Sequence, residues 1–173
     1  EQRTTQTLFD ALGRAVFELD ALGWGTHIEY NATGHEIARY QHKVAFRPAA
    51  SAHASAISHA ELAAFVAARG PDRQAAPVQG TWQYFDAAGR LRYRVNSSTT
   101  AYKESSDTAV EHRYDAAGQV IGTRVYQMMG VVWTAPTTLA AAQAYLGPMA
   151  GAGRQATFAF AAAGGLQTRT GPL

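Results

Sequence analysis

A six-residue pattern that returns along the chain constrains the fold more than any other feature. Phe9-Asp10-Ala11-Leu12-Gly13-Arg14 recurs 76 residues later as Phe85-Asp86-Ala87-Ala88-Gly89-Arg90. A degraded copy, Phe160-Ala161-Ala162-Ala163-Gly164-Gly165, comes after a further 75. A related motif lies inside each long spacing, as Tyr30-Asn31-Ala32-Thr33-Gly34-His35 and Tyr114-Asp115-Ala116-Ala117-Gly118-Gln119, and Asp20-Ala21-Leu22-Gly23 is a shorter echo. Self-similarity at this period belongs to proteins assembled from repeated supersecondary units. The spacing predicts units over about residues 5–80 and 81–153, and an incomplete third over 154–173.

The motif has a direct physical reading. Asp or Asn at the first position of a turn bonds its side chain to the backbone two residues on, and a Gly three positions later accepts positive φ. Such a turn joins antiparallel strands, with a bulge at the Gly. The residues assigned to these structural turns are Asp10, Gly13, Gly34, Asp86, Gly89, Asp115 and Gly118. Their flanks alternate as half-buried strands do: Leu91, Tyr93 and Val95 against Arg92 and Arg94, and Trp82 and Tyr84 against Thr81 and Gln83. Ala15, Phe17 and Leu19 share a face, Thr26, Ile28 and Tyr30 fall on the next strand, and Phe158 and Phe160 start a hairpin that the third unit leaves unfinished.

Two stretches break this rhythm. Ser58-x-x-Glu61 ahead of Leu62, Phe65 and Val66 has the form of a capping box, predicting a helix over 58–69 closed by Gly70-Pro71. Pro136, the alanines from 140 to 142 and Gly147-Pro148 predict a second helix over 137–146, with a connector after it over 149–153. The expected fold is mainly β: antiparallel hairpins in a curved sheet, with two short helical insertions.

Chemistry is sparse. Fifteen Lys and Arg against thirteen Asp and Glu leave a net charge of +2 with no basic stripe, so no nucleic-acid partner is expected. The absence of Cys removes disulfides, thiolate metal sites and Cys nucleophiles. No apolar run approaches the roughly 18–20 residues of a membrane-spanning helix. The six histidines, His27, His35, His42, His53, His59 and His112, form no ligand spacing, and His27 and His112 occupy similar places before the second motif of each unit. There is no Gly-x-Ser-x-Gly elbow, and Ser97, Ser98, Ser105 and Ser106 fall in an eight-residue expansion of the second unit that reads as a solvated loop. One carboxylate per turn is too few for calcium. Neither an enzyme nor a cofactor or metal site is expected. The start at Glu1 without Met, and repeats without polar caps, predict a piece of a longer polypeptide.

Phe9 to Gly23, Tyr84-Phe85-Asp86-Ala87-Ala88-Gly89-Arg90-Leu91 and Tyr114 to Val120 resemble the YD-repeat, or rearrangement-hotspot (Rhs), family, which includes the C components of Tc toxins. The resemblance covers about two thirds of the chain, and departs from the pattern at Asn31, Ala161 and Gly165. It implies hairpins spiralling into a hollow β-cocoon that encloses a toxic domain, in a secreted or cell-surface system of bacterial toxin delivery. The implied partners are the remainder of the shell and an enclosed toxin cargo. The family's autoproteolytic core has no match here, so no protease residues carry over. The alternative role is an extracellular binding module contacting glycans or a neighbouring cell surface.

Overall fold

The computed structural model describes residues 5–41, 59–69, 79–98, 107–128, 133–152, 154–160 and 166–171. The chain is mainly β and antiparallel, with two short helices, and it divides into two compact units, Glu1–Gly80 and Thr81–Leu173.

In the first unit β1 (Gln6–Phe9), β2 (Ala15–Leu19), β3 (Gly25–Tyr30) and β4 (Glu36–Gln41) form a meander, each strand paired with the next in the chain. The period-2 alternation decides which residues enter the core. Leu8, Phe17 and Leu19 turn to one face and pack against Leu62 of helix α1 (His59–Arg69), with Val16 and Val66 at the margin. Phe17 is fully buried. Burying side chains of this size contributes about 1.5–3 kcal/mol each, which is what fixes the helix on the sheet. Ser58, the expected cap of α1, and Gly70-Pro71 lie outside the described residues.

The second unit repeats this order with longer strands: β5 (Gln79–Phe85), β6 (Leu91–Ser98), β7 (Thr108–Tyr114) and β8 (Val120–Gln127), then helix α2 (Leu139–Leu146). Helix α2 starts two residues later than expected. Thr138, in extended conformation, is its N-cap and its hydroxyl accepts from the Ala141 amide at 3.2 Å. Its far end also differs from expectation. Gly147 stays right-handed (φ −50°, ψ −49°), and the chain tightens into a 3-10 helix over Gly147–Ala152 where a connector was predicted. Pro148 has no amide to donate, so the α-helical ladder cannot extend past the Gly147 amide, which bonds Gln143 O. Ala142 and Leu146 are buried, and Trp133 meets Tyr84 and Tyr145 edge-on at centroid distances of 6.1 and 5.0 Å.

The third unit predicted over 154–173 is no separate body. Strand β9 (Arg154–Phe160) pairs with β8, from Gly122↔Thr157 to Val125↔Arg154, and β10 (Leu166–Thr170) completes a hairpin with β9. Both belong to the second unit. The hairpin expected to stay unfinished therefore has both strands, although Ala161 and Gly165 replace the Asp and Arg of the earlier motifs; residues 161–165 themselves lie outside the described residues.

Candidate functional site

Five turns are built alike. At the first, the Asp10 amide donates to Arg14 O at 2.9 Å and the Gly13 amide donates to Asp10 O at 3.0 Å. Asp10 Oδ1 accepts from the amides of Leu12 and Arg14, both at 2.9 Å. The same backbone pair of bonds closes the turns at Asp20, Asn31, Asp86 and Asp115. Gly13, Gly23, Gly34, Gly89 and Gly118 all have φ between +75° and +87°, the left-handed region that a three-residue hairpin with a Gly bulge requires. The structure thus places Asp10, Gly13, Gly34, Asp86, Gly89, Asp115 and Gly118 in equivalent turns. Asp20 to Gly23, read from sequence as an echo, is a full member. Asn31 performs the Asp role with its own Oδ1, accepting from Thr33 and His35 amides at 3.1 and 2.9 Å.

Sequence reasoning missed the role of the arginine after the turn glycine. Arg14 folds back so that its Nε donates to Asp10 Oδ2 at 2.8 Å and its terminal nitrogen stands 2.7 Å from the same oxygen. The guanidinium then lies 4.4 Å above the centre of the Tyr30 ring, whose hydroxyl donates to Ala15 O at 3.0 Å. In the second unit Arg90 makes the same pair with Asp86 at 2.8 Å and covers Tyr114 at 4.9 Å, and the Tyr114 hydroxyl donates to Leu91 O at 2.8 Å. Each is a rung that ties one hairpin to the next across the end of the sheet. A cation over an aromatic face at this range adds about 0.5–1 kcal/mol where exposed. The Arg14 amide and guanidinium hold the Asp10 carboxyl below its ordinary value. Partial burial pushes the Asp86 carboxyl up, but the Arg90 amide and guanidinium and the Ala88 amide outweigh it and leave it lowered. The signal was in the sequence: Gly-Arg closes both full copies of the long repeat's motif, and Tyr precedes a later motif at the same sheet end, 16 residues beyond the Arg in one unit and 24 in the other.

A row of three side chains crosses three adjacent strands of each unit. In the first unit it is Phe17, His27 and Tyr40, paired Phe17↔His27 and His27↔Tyr40. The rings pack edge-on at 6.2 Å and stacked at 5.3 Å, and the Tyr40 hydroxyl donates to Glu29 Oε1 at 3.0 Å. At the same positions the second unit carries Tyr93, Glu111 and Arg124, paired Tyr93↔Glu111 and Glu111↔Arg124. Glu111 is buried, accepts from the Tyr126 hydroxyl at 2.7 Å, and has Arg92 and Arg124 nitrogens at 3.8 and 3.9 Å. Burial, with the Glu111 carboxylate beside it, pushes the Tyr93 hydroxyl up to about 12.

The structure corrects two expectations. His27 corresponds to Glu111, not to His112; a one-residue difference in position turns a strand side chain to the opposite face. His112 sits on the other face, where burial and then the Arg94 charge lower its pKa. Ser97 is no loop serine: Ser97 and Ser98 belong to β6, and the buried Ser97 hydroxyl donates to Asp107 Oδ2 at 2.6 Å. Ser105, Ser106, His42 and His53 lie outside the described residues. Among the described residues no three His, Asp or Glu are grouped to hold a metal ion, and no helix is long and apolar enough to cross a membrane. Trp82, Tyr84, Tyr93, Tyr126 and Trp133 are all buried, so these rings pack the interior. No family model matches the chain, and no curated protein sequence matches it.

Proposed function

We propose that this chain is a structural segment of a YD-repeat (Rhs-type) shell that encapsulates or displays a toxin or effector, acting by containment and not by catalysis. The observation that carries this reading is the repetition of one module in both units: an Asp turn, an Arg after it folded on its carboxylate, and a Tyr beneath the guanidinium two strands later in the meander. A module that ties the first hairpin of each unit to the second, in the same way both times, suits a wall that grows by adding hairpin pairs. The partners in this reading are further repeats of the same polypeptide or shell and an enclosed cargo, in a secreted or surface-associated delivery system. A glycan-binding module would call for a row of exposed rings, and the buried Trp and Tyr residues speak for packing instead.

Light scattering on the native particle, with denaturing mass spectrometry on the same sample, tests the proposal. A particle many times 18.5 kDa that contains further polypeptide supports the shell. A clean 18.5 kDa monomer would sink it.

A further inference from the structure

At one position the two units carry opposite charges, and only one of the charges is met. Four residues after the turn arginine the first unit has Glu18 and the second has Arg94. Arg39, on the same sheet face as Glu18, lies 3.1 Å from it and 3.2 Å from Glu36. Arg94 is exposed, and among the described residues its guanidinium donates to the neutral Gln83 Oε1 at 3.3 Å. Register carries a row from Arg94 across four strands: Arg94↔Val110, Val110↔Val125 and Val125↔Arg154. Strand alternation puts the row on the face opposite the buried Val95 and Ala109. Arg154 is exposed and Val125 is 37% exposed, so both the flank and the middle of the row are open. Thr108 and Thr123 stand two residues from the valines on the same face, and no Asp or Glu occurs among its described residues. His112 registers the unmet charge. Arg92 and Arg94 of β6 and Thr123 of β8 surround it, and burial and then Arg94 lower its pKa. The Arg92 charge is partly offset by Glu111 at 3.8 Å.

We infer that this face of the second unit is a docking surface for an acidic amphipathic helix, whose apolar stripe lies on Val110 and Val125 and whose flanking carboxylates meet Arg94 and Arg154. The widths agree. Three strand spacings separate Arg94 from Arg154 by about 14 Å at the backbone, and a helix with its side chains is about 10–12 Å across. A helix lying along the strands therefore rests on the two valines with one arginine at each flank. The apolar middle and charged flanks also select the class of partner. An acidic polysaccharide asks for exposed rings to stack on, and the row has none. A nucleic acid asks for a denser run of cations than two in a row. The inference stands on this face alone and does not require a shell.

The test uses the intact chain and a helical peptide of about three heptads, with Leu at positions a and d and Glu at e and g. Binding should be saturable at low salt and weaken as salt rises. The Val110 and Val125 methyl resonances should shift, and the His112 imidazole should titrate at higher pH in the complex, because the carboxylates offset the Arg94 charge. Arg94→Gln and Arg154→Gln should each weaken binding about twofold to fivefold, the range of one exposed ion pair. Val125→Asp should weaken it about tenfold or more, since a carboxylate then faces the acidic helix. Arg94→Glu should lose the peptide and regain binding to a version whose g-position Glu are Lys, which the parent chain binds weakly. These side chains are exposed, so the fold should be kept, and an unchanged melting temperature checks each variant. The inference is overturned by an absence of saturable binding, by affinity indifferent to both arginines, or by shifts that miss Val110 and Val125. It is equally overturned if a peptide with Ser in place of Leu binds as well. Heparin or a short single-stranded DNA that binds more tightly than the peptide, with the same arginine dependence, also overturns it, since a polyanion is then the occupant.

Discussion

Gly34 and Gly25 show two different reasons for a glycine, and they separate by substitution. Gly34 has φ +87° and nothing within 4 Å of an added Cβ, so its cost is purely conformational. Gly34→Ala should lower stability by about 1 kcal/mol, and Gly89→Val, at φ +75°, by about 1 kcal/mol or more. At Gly25 no positive φ is involved, but an added Cβ would fall on the fully buried Phe17 ring. Gly25→Ala should therefore cost about 1–3 kcal/mol through overpacking. Urea midpoints at unchanged slope give all three, and a silent Gly89→Val would refute the left-handed turn. The turn carboxylates add a pH signature. Asp86 is held below its ordinary 3.8 in the folded chain, so its contribution is present above that value and lost as pH falls through the folded value. Asp86→Asn keeps the bonds that Asn31 makes but not the ion pair with Arg90. The stability gap between parent and variant should be full at pH 7 and shrink below about pH 4; a gap that stays constant down to pH 2 would contradict this.

Turns were legible in the sequence because every bond that makes them lies within five residues: Asp10 reaches only Leu12, Gly13 and Arg14. Strand faces were legible where alternation was clean, as along Tyr93, Val95 and Ser97, whose inward side is buried. Element ends were less so. Gly147-Pro148 reads as a stop because Gly favours a left-handed cap, yet here Gly147 is right-handed and its amide donates to Gln143 O, so the helix narrows and continues. The start of α2 hinges on which of Thr137 and Thr138 turns extended, and just before them stands Ala135, whose φ of +47° and buried methyl no local pattern announces. Thr138→Ala should cost about 1 kcal/mol by removing the acceptor for the Ala141 amide. Thr138→Ser should restore most of it in a thermal melt, and equal melts for the two variants would move the cap elsewhere.

The two units share turns, rungs and the order of their elements, and differ at one row across three strands, where Phe17, His27 and Tyr40 in one and Tyr93, Glu111 and Arg124 in the other are alternative solutions. That His27 and Glu111 are counterparts was legible by counting, since each stands three residues before the Tyr of its motif, but only register shows which side chains flank them across the strands. An aromatic row is held by packing and tolerates loss of one member. A charged row is held by mutual compensation, because each buried charge depends on its neighbour. Glu111→Leu removes the carboxylate beside Arg124 and the acceptor of the Tyr126 hydroxyl. The loss should be about 2–4 kcal/mol, below the ~3–5 of a fully buried pair because Arg124 remains 22% exposed. It should also bring Tyr93 down from about 12, since the Glu111 charge contributes to that rise, and an ultraviolet titration of the tyrosines reads the change. Replacing the row as a whole, with Tyr93→Phe, Glu111→His and Arg124→Tyr, recreates the first unit's rings and removes the guanidinium together with its carboxylate. Measured in urea at pH 8, where the new imidazole is neutral, the triple variant should recover at least half of what Glu111→Leu loses. The remainder, about 1–2 kcal/mol, is the Tyr126 hydroxyl deprived of its acceptor. A triple variant no more stable than the single one would mean that the rows are not interchangeable.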